Sequence, residues 1–222
     1  MRRRAFIAGG GILVAAAAGG ALYSGRGGDQ KEVGIPTAET APSPAPKVPD
    51  MILGDPSRGV EIIEYASFTC PHCAAFHAET MPRIRDELIA TGKAHFIFRE
   101  VYFDRPGLWA SLIARAAGED RFFAFADLLY ERQRDWARGT PDEIEDHLRR
   151  LAKISGIDDD AVAAVLEDQD RAVRLMRWYE QNARRDGISA TPTILVDGRD
   201  LGPAGFQPIR KAVDRAASAP VK

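Results

Sequence analysis

The chain has 222 residues, 45% of them hydrophobic and 28% charged, which is enough for one ordinary domain with a sizeable core. The net charge is -2, and the first fifty residues hold more bases than acids, so the remainder is more acidic still. That balance argues against a nucleic-acid partner, because a phosphate backbone selects basic surfaces.

The N-terminus reads as an export signal. Arg2, Arg3 and Arg4 precede the apolar run "AFIAGGGILVAAAAGGAL", which is short for a membrane span and diluted by glycine. The order Arg3-Arg4-Ala5-Phe6-Ile7 resembles a twin-arginine signal; an ordinary secretory signal and a retained anchor stay open. Residues 1–24 are therefore expected to be a signal or anchor. Residues 25–50 are proline-rich, nearly free of large apolar side chains, and expected to be a disordered linker.

The body begins near Met51. "GVEIIEYASF" (59–68) is β-rich and almost continuously apolar, as a buried strand would be. It runs directly into Cys70 and Cys73, the chain's two cysteines. Residues 71–90 read as helix, interrupted at Pro82. "KAHFIFREVYF" (93–103) is a second strand. Residues 105–187 show helical patterns without a convincing strand. The clearest helix follows Thr140 as N-cap, with Pro141 in the first turn, Glu143 closing a capping box and Gly156 ending it. Residues 193–201 form a hairpin around Asp197-Gly198, and a last helix runs from about Gln207 to Ala217. The order predicts an α/β fold with a helical insertion: residues 51–104 and 188–222 form one unit, and 105–187 are inserted into it.

The Cys-Pro-His-Cys stretch admits three uses: a staple, part of a metal site, or a redox couple. Bridging residues three apart constrains the unfolded chain little, which weakens the staple. A zinc site commonly draws on two separated ligand clusters, and the sequence has no second one. The strand-to-helix setting favours the couple. With Pro71 as first helical residue, Cys70 becomes the N-cap, at the positive end of the helix dipole. An anion is stabilised there, so the Cys70 pKa should fall. His72 adds a donor and, when protonated, a charge. Cys73 lies one turn on, within disulfide range and more buried. Stabilising the thiolate favours the reduced state, which makes the disulfide an oxidant.

These residues resemble the DsbA family of exported thiol:disulfide oxidoreductases, in the thioredoxin-fold superfamily. The resemblance rests on "IIEYASFTCPHC" (62–73), on "SATPTILVDG" (189–198) and on the helices between them, and covers roughly residues 51–220. It implies a thioredoxin-like fold with an inserted helical domain. It implies that Cys70 is the nucleophile, that Cys73 resolves the mixed disulfide, and that Pro71 and His72 set the redox poise. Pro192 would be a cis-proline beside the cysteines, and the Thr191 backbone would meet the substrate chain. Glu64, in the middle of its strand, would move protons to or from Cys73; the bland reading is an acid paired with Arg99 or Lys93. Phe76 and His77 read as packing residues. Thr191 also occurs in isomerase-like relatives, so a reductase or isomerase is the alternative, with a thiol-based metal-binding or chaperone module behind it. The resemblance further implies a periplasmic location, reduced exported proteins as substrates, a quinone-linked membrane partner of DsbB type, and no cofactor beyond the Cys70–Cys73 disulfide.

Overall fold

A computed structural model of the chain describes residues 48–219. The expected signal (1–24) and the linker up to residue 47 lie outside the described residues. Its last three residues do not: Val48 packs against the core, the Pro49 carbonyl accepts from Arg115 Nη1 at 2.9 Å, and the Asp50 carboxylate accepts from Arg99 Nε and Nη2 at 3.0 Å each. The ordered body therefore starts ahead of Met51.

Five strands form one mixed sheet. They are β1 (Met51–Leu53), β2 (Val60–Ala66), β3 (Ala94–Glu100), β4 (Thr193–Val196) and β5 (Arg199–Asp200), in the order β1-β3-β2-β4-β5. β2 and β3 are parallel, with Glu64 opposite Phe98 and Tyr65 opposite Arg99. The other pairings are antiparallel. The two central strands are the two apolar runs predicted from sequence, each trimmed at its ends. β1 was not foreseen; three residues carry too little pattern to announce a strand.

The helix after the cysteines breaks where Pro82 requires. α1 (Pro71–Glu79) ends at Thr80, and α2 (Met81–Ile84) restarts with Pro82 in its first turn, where a missing N–H costs nothing. A wide π turn, Arg85–Ile89, continues it. The helical block comprises α3 (Arg105–Ala116), α4 (Glu119–Glu131), the short α5 (Gln133–Trp136), α6 (Pro141–Ile154), α7 (Asp159–Glu167) and α8 (Gln169–Asp186). The capping box at Thr140 is formed in both directions, and Gly187 ends α8 in the left-handed conformation. α9 (Phe206–Ala217) closes the body.

Period-two alternation splits the strands between two cores. Ile62, Ala66, Phe96, Phe98, Ile194 and Val196 face the main core, shared with most of the helices. Ile63, Tyr65, Ile97 and Leu195 face a smaller one, capped by Tyr179 of α8 and by Ile188. Among the described residues no helix is long and apolar enough to cross a membrane.

Candidate active site

The parallel strands deliver the reactive segment. β2 ends at Ala66, the chain turns through Ser67 to Thr69, and Cys70 sits extended as N-cap of α1 with Pro71 behind it. Four consecutive residues of this turn are tied to the helical block. The Ser67 carbonyl accepts from Tyr130 Oη at 3.3 Å. The Phe68 and Cys70 carbonyls share the amide of Gln133, at 2.8 and 2.9 Å. Thr69 Oγ1 donates to Asp104, the N-cap of α3, at 2.8 Å. Gly107 lies against this corner: a Cβ there would come within 3.1 Å of Asp104 Oδ1 and 3.3 Å of Ser67 Oγ.

The two cysteines are free thiols in unlike surroundings. Cys70 Sγ lies 3.6 Å from the Thr191 carbonyl and is 8% exposed; Cys73 is fully enclosed. The Cys70 thiol makes no capping hydrogen bond. Its anion, by contrast, has donors around it. The Cys73 thiol is the foremost, followed by the Thr191 hydroxyl and the amides of Cys73 and His72. Together they lower the Cys70 pKa to about 5, although burial works against them. The Cys73 pKa moves the other way. Its thiol is held as donor to Cys70, it is buried, and the negative charge of Glu64 disfavours a second anion.

The peptide bond between Thr191 and Pro192 is cis. It leads into β4, which lies between β2 and β5 rather than at an edge. Among the described residues the Thr191 hydroxyl is buried with no hydrogen-bond partner beside the neutral Cys70 thiol, leaving it free to donate to the Cys70 anion, and Pro192 is buried as well. His72 is exposed. The structure therefore brings Cys70, Pro71, His72, Cys73, Thr191 and Pro192 to one end of the sheet.

Glu64 corrects one expectation. It is fully buried, and its partner is neither Arg99 nor Lys93 but His77, whose Nε2 is 2.8 Å from Glu64 Oε2. Register explains why: Arg99 stands opposite Tyr65, on the other face of the sheet, and binds Asp50, Asp186 and Tyr65 there. Lys93 lies at the far end of β3, before Ala94. His77, read from sequence as packing, also stacks on Tyr130 with ring centroids 4.2 Å apart. Its Nδ1 stands 3.8 Å from Asp127 Oδ1, an ion-pair separation longer than a hydrogen bond. Burial disfavours a charge on the ring, yet Glu64 and Asp127 raise its pKa above the ordinary value. One signal was available: His77 is four residues beyond Cys73, on the same helix face.

A family model described as thioredoxin matches residues 47–215. The chain belongs to the thioredoxin family. Within it the fold is DsbA-like. Over 77% of this chain and 92% of the other, it matches the crystal structure of Wolbachia pipientis alpha-DsbA1 at 26% identity and a TM-score of 0.68. BdbD from Bacillus subtilis shares the fold at 22% identity, with a TM-score of 0.66, over 77% of this chain and 94% of that one. Among curated relatives, a Rickettsia prowazekii protein named as a protein-disulfide oxidoreductase is 28% identical over 168 residues. That alignment takes in 75% of this chain and 61% of the relative, so the match spans about three fifths of the relative's length. A Bacillus cereus protein named as disulfide bond formation protein D is 27% identical, over 73% of this chain and 76% of that one. Among the described residues no group of three or more His, Cys, Asp or Glu is placed to hold a metal ion.

Proposed function

We propose that the protein is a thiol:disulfide oxidoreductase that donates a Cys70–Cys73 disulfide to cysteines of newly exported proteins. The observation that carries this reading is the placement of two unlike thiols, Cys70 as N-cap of α1 beside the Thr191 carbonyl and Cys73 fully enclosed one turn on, which pushes the Cys70 pKa down and the Cys73 pKa up. A substrate thiolate attacks Cys70 Sγ, and the electron pair of the S–S bond leaves on Cys73 Sγ, which takes up a proton. A second substrate thiolate then attacks the substrate sulfur of the mixed disulfide. Cys70 departs as a thiolate, and its low pKa makes it a good leaving group. The same stabilisation favours the reduced protein and so makes the disulfide oxidising.

Pro71 and His72 tune the poise, the Thr191 backbone receives the substrate chain, Pro192 shapes that surface, and Glu64 serves as proton exchanger for Cys73. The domain plan is a thioredoxin-like unit (51–104 and 188–222) holding the helical insertion 105–187. Residues 1–24 direct export to the periplasm or anchor the chain there, and a quinone-linked membrane protein of DsbB type restores the disulfide. The pair needs no further cofactor.

Thiolate absorbance of the reduced protein, followed against pH, should give an apparent Cys70 pKa near 5; an ordinary thiol value overturns the reading. Thr191 favours one second reading, a reductase or isomerase using the same thiols. The redox potential in a glutathione buffer and the redox state in the cell separate the two. An oxidising potential and an oxidised population fit the oxidase; a mostly reduced population fits the alternative.

A further inference from the structure

The buried charge beneath α1 forms a connected series. Glu64 is fully enclosed, and a carboxylate there is costly unless compensated. The His77 ring supplies the compensation through Nε2 at 2.8 Å. Four elements present groups to that ring: Glu64 from β2, Asp127 and Tyr130 from α4, the uncharged Phe98 from β3, and Phe76 from its own helix. The outer end of the series is Asp127, whose side chain is 39% exposed and held by Arg85 through bonds of 2.6 and 2.9 Å. The inner end is Glu64 Oε1. Among the described residues it has no hydrogen-bond partner, and the charge of its carboxylate is felt at Cys73. Glu64, His77 and Asp127 thus lead from a buried carboxylate, whose charge reaches Cys73, to solvent.

We propose that His77 is a positioning residue for thiol–disulfide exchange, passing protons between solvent at Asp127 and the buried Glu64 so that Cys73 changes protonation without the core opening. This rests on the reading of Cys70 and Cys73 as an exchange pair. When an incoming thiolate breaks the disulfide at Cys70, the bonding electron pair goes to Cys73 Sγ, and one proton is due there. It leaves Nε2 of the charged imidazole, crosses the Glu64 carboxylate and becomes the S–H of Cys73. The ring, now neutral, exchanges its tautomer and takes a new proton at Nδ1, the nitrogen facing Asp127. Reoxidation sends one proton outward along the same route.

The test is the rate at which reduced glutathione reduces the oxidised full-length chain, followed by thiol trapping. Rates are corrected to the glutathione thiolate and measured across about pH 5 to 8, the range that brackets an ordinary histidine. The natural chain should show a flat profile. His77→Gln should be slower by on the order of a hundredfold, the scale of general acid–base assistance, with the rate falling as pH rises. Asp127→Asn should show the same tilt with a smaller loss. A flat profile at the natural rate in folded His77→Gln overturns the proposal, even if its melting temperature has dropped. Should His77→Gln not fold, Asp127→Asn decides alone: a tilted profile supports the relay and an unchanged one overturns it. Absence of exchange in the natural chain would instead remove the exchange reading itself.

Discussion

At neutral pH the reduced pair carries a single proton, and it resides on Cys73, because Cys70 has lost its own near pH 5 and the enclosed thiol has not. Reduction of the disulfide therefore consumes two electrons and one proton. The potential should fall by about 30 mV per pH unit above pH 5 and by about 60 mV per unit below it, where Cys70 also binds a proton. A glutathione titration repeated across that break checks it; a uniform steep slope would mean that Cys70 titrates as an ordinary thiol. Stability follows the same sign. The folded pKa lies below the unfolded one, so the contribution to the reduced form is complete above about pH 8.5 and is lost as pH falls through about 5. Denaturation midpoints of the reduced protein should decline across that window relative to those of the oxidised one. Thr191→Val removes a hydroxyl donor at nearly constant shape. It should raise the Cys70 pKa by about one unit, the scale of a partly solvated charged hydrogen bond, as read by thiolate absorbance.

At the scale of elements, α6 offers a clean contrast. Its capping box lies in an exposed first turn, and Thr140→Ala removes the hydroxyl that accepts from the Glu143 amide. The expected cost is about 1 kcal/mol in chemical denaturation, with the rate of thiol exchange unchanged. This helix was fully legible in the sequence, because its caps are local chemistry within one turn. The two central strands were legible for the same kind of reason, as unbroken apolar runs. β1 was not, since its partner β3 lies more than forty residues away and only pairing reveals it. The thiols, Pro71 and the residues around Pro192 could be named from local motifs. The partner of Glu64 could not, because the choice between Arg99, Lys93 and His77 depends on which face of the sheet each occupies. Gln133 and Asp104 were invisible for a related reason: they reach the reactive turn from a distant stretch of chain.

For the molecule as a whole, two buried arginines join the sheet, the block and the start of the body. Arg115 of α3 forms a bidentate pair with Glu100 of β3, at 2.6 and 2.7 Å, while also holding the Pro49 carbonyl; both side chains are almost fully enclosed. Arg115→Met leaves the Glu100 carboxylate enclosed and unpaired. It should destabilise the protein by about 3–5 kcal/mol in denaturant unfolding, and the double change Glu100→Leu with Arg115→Met should recover most of that loss. Equal instability of the single and double variants would assign the cost to packing.

The hydrogen bonds from Tyr130, Gln133 and Asp104 to four successive residues, Ser67 to Cys70, bind the reactive turn to the helical block. Block and turn then melt as one cooperative unit, with a single calorimetric transition. The reactivity of Cys70 toward an alkylating agent becomes a reporter of that transition: it should change at the temperature where helical signal is lost, though the helices themselves contain no cysteine beyond Cys73.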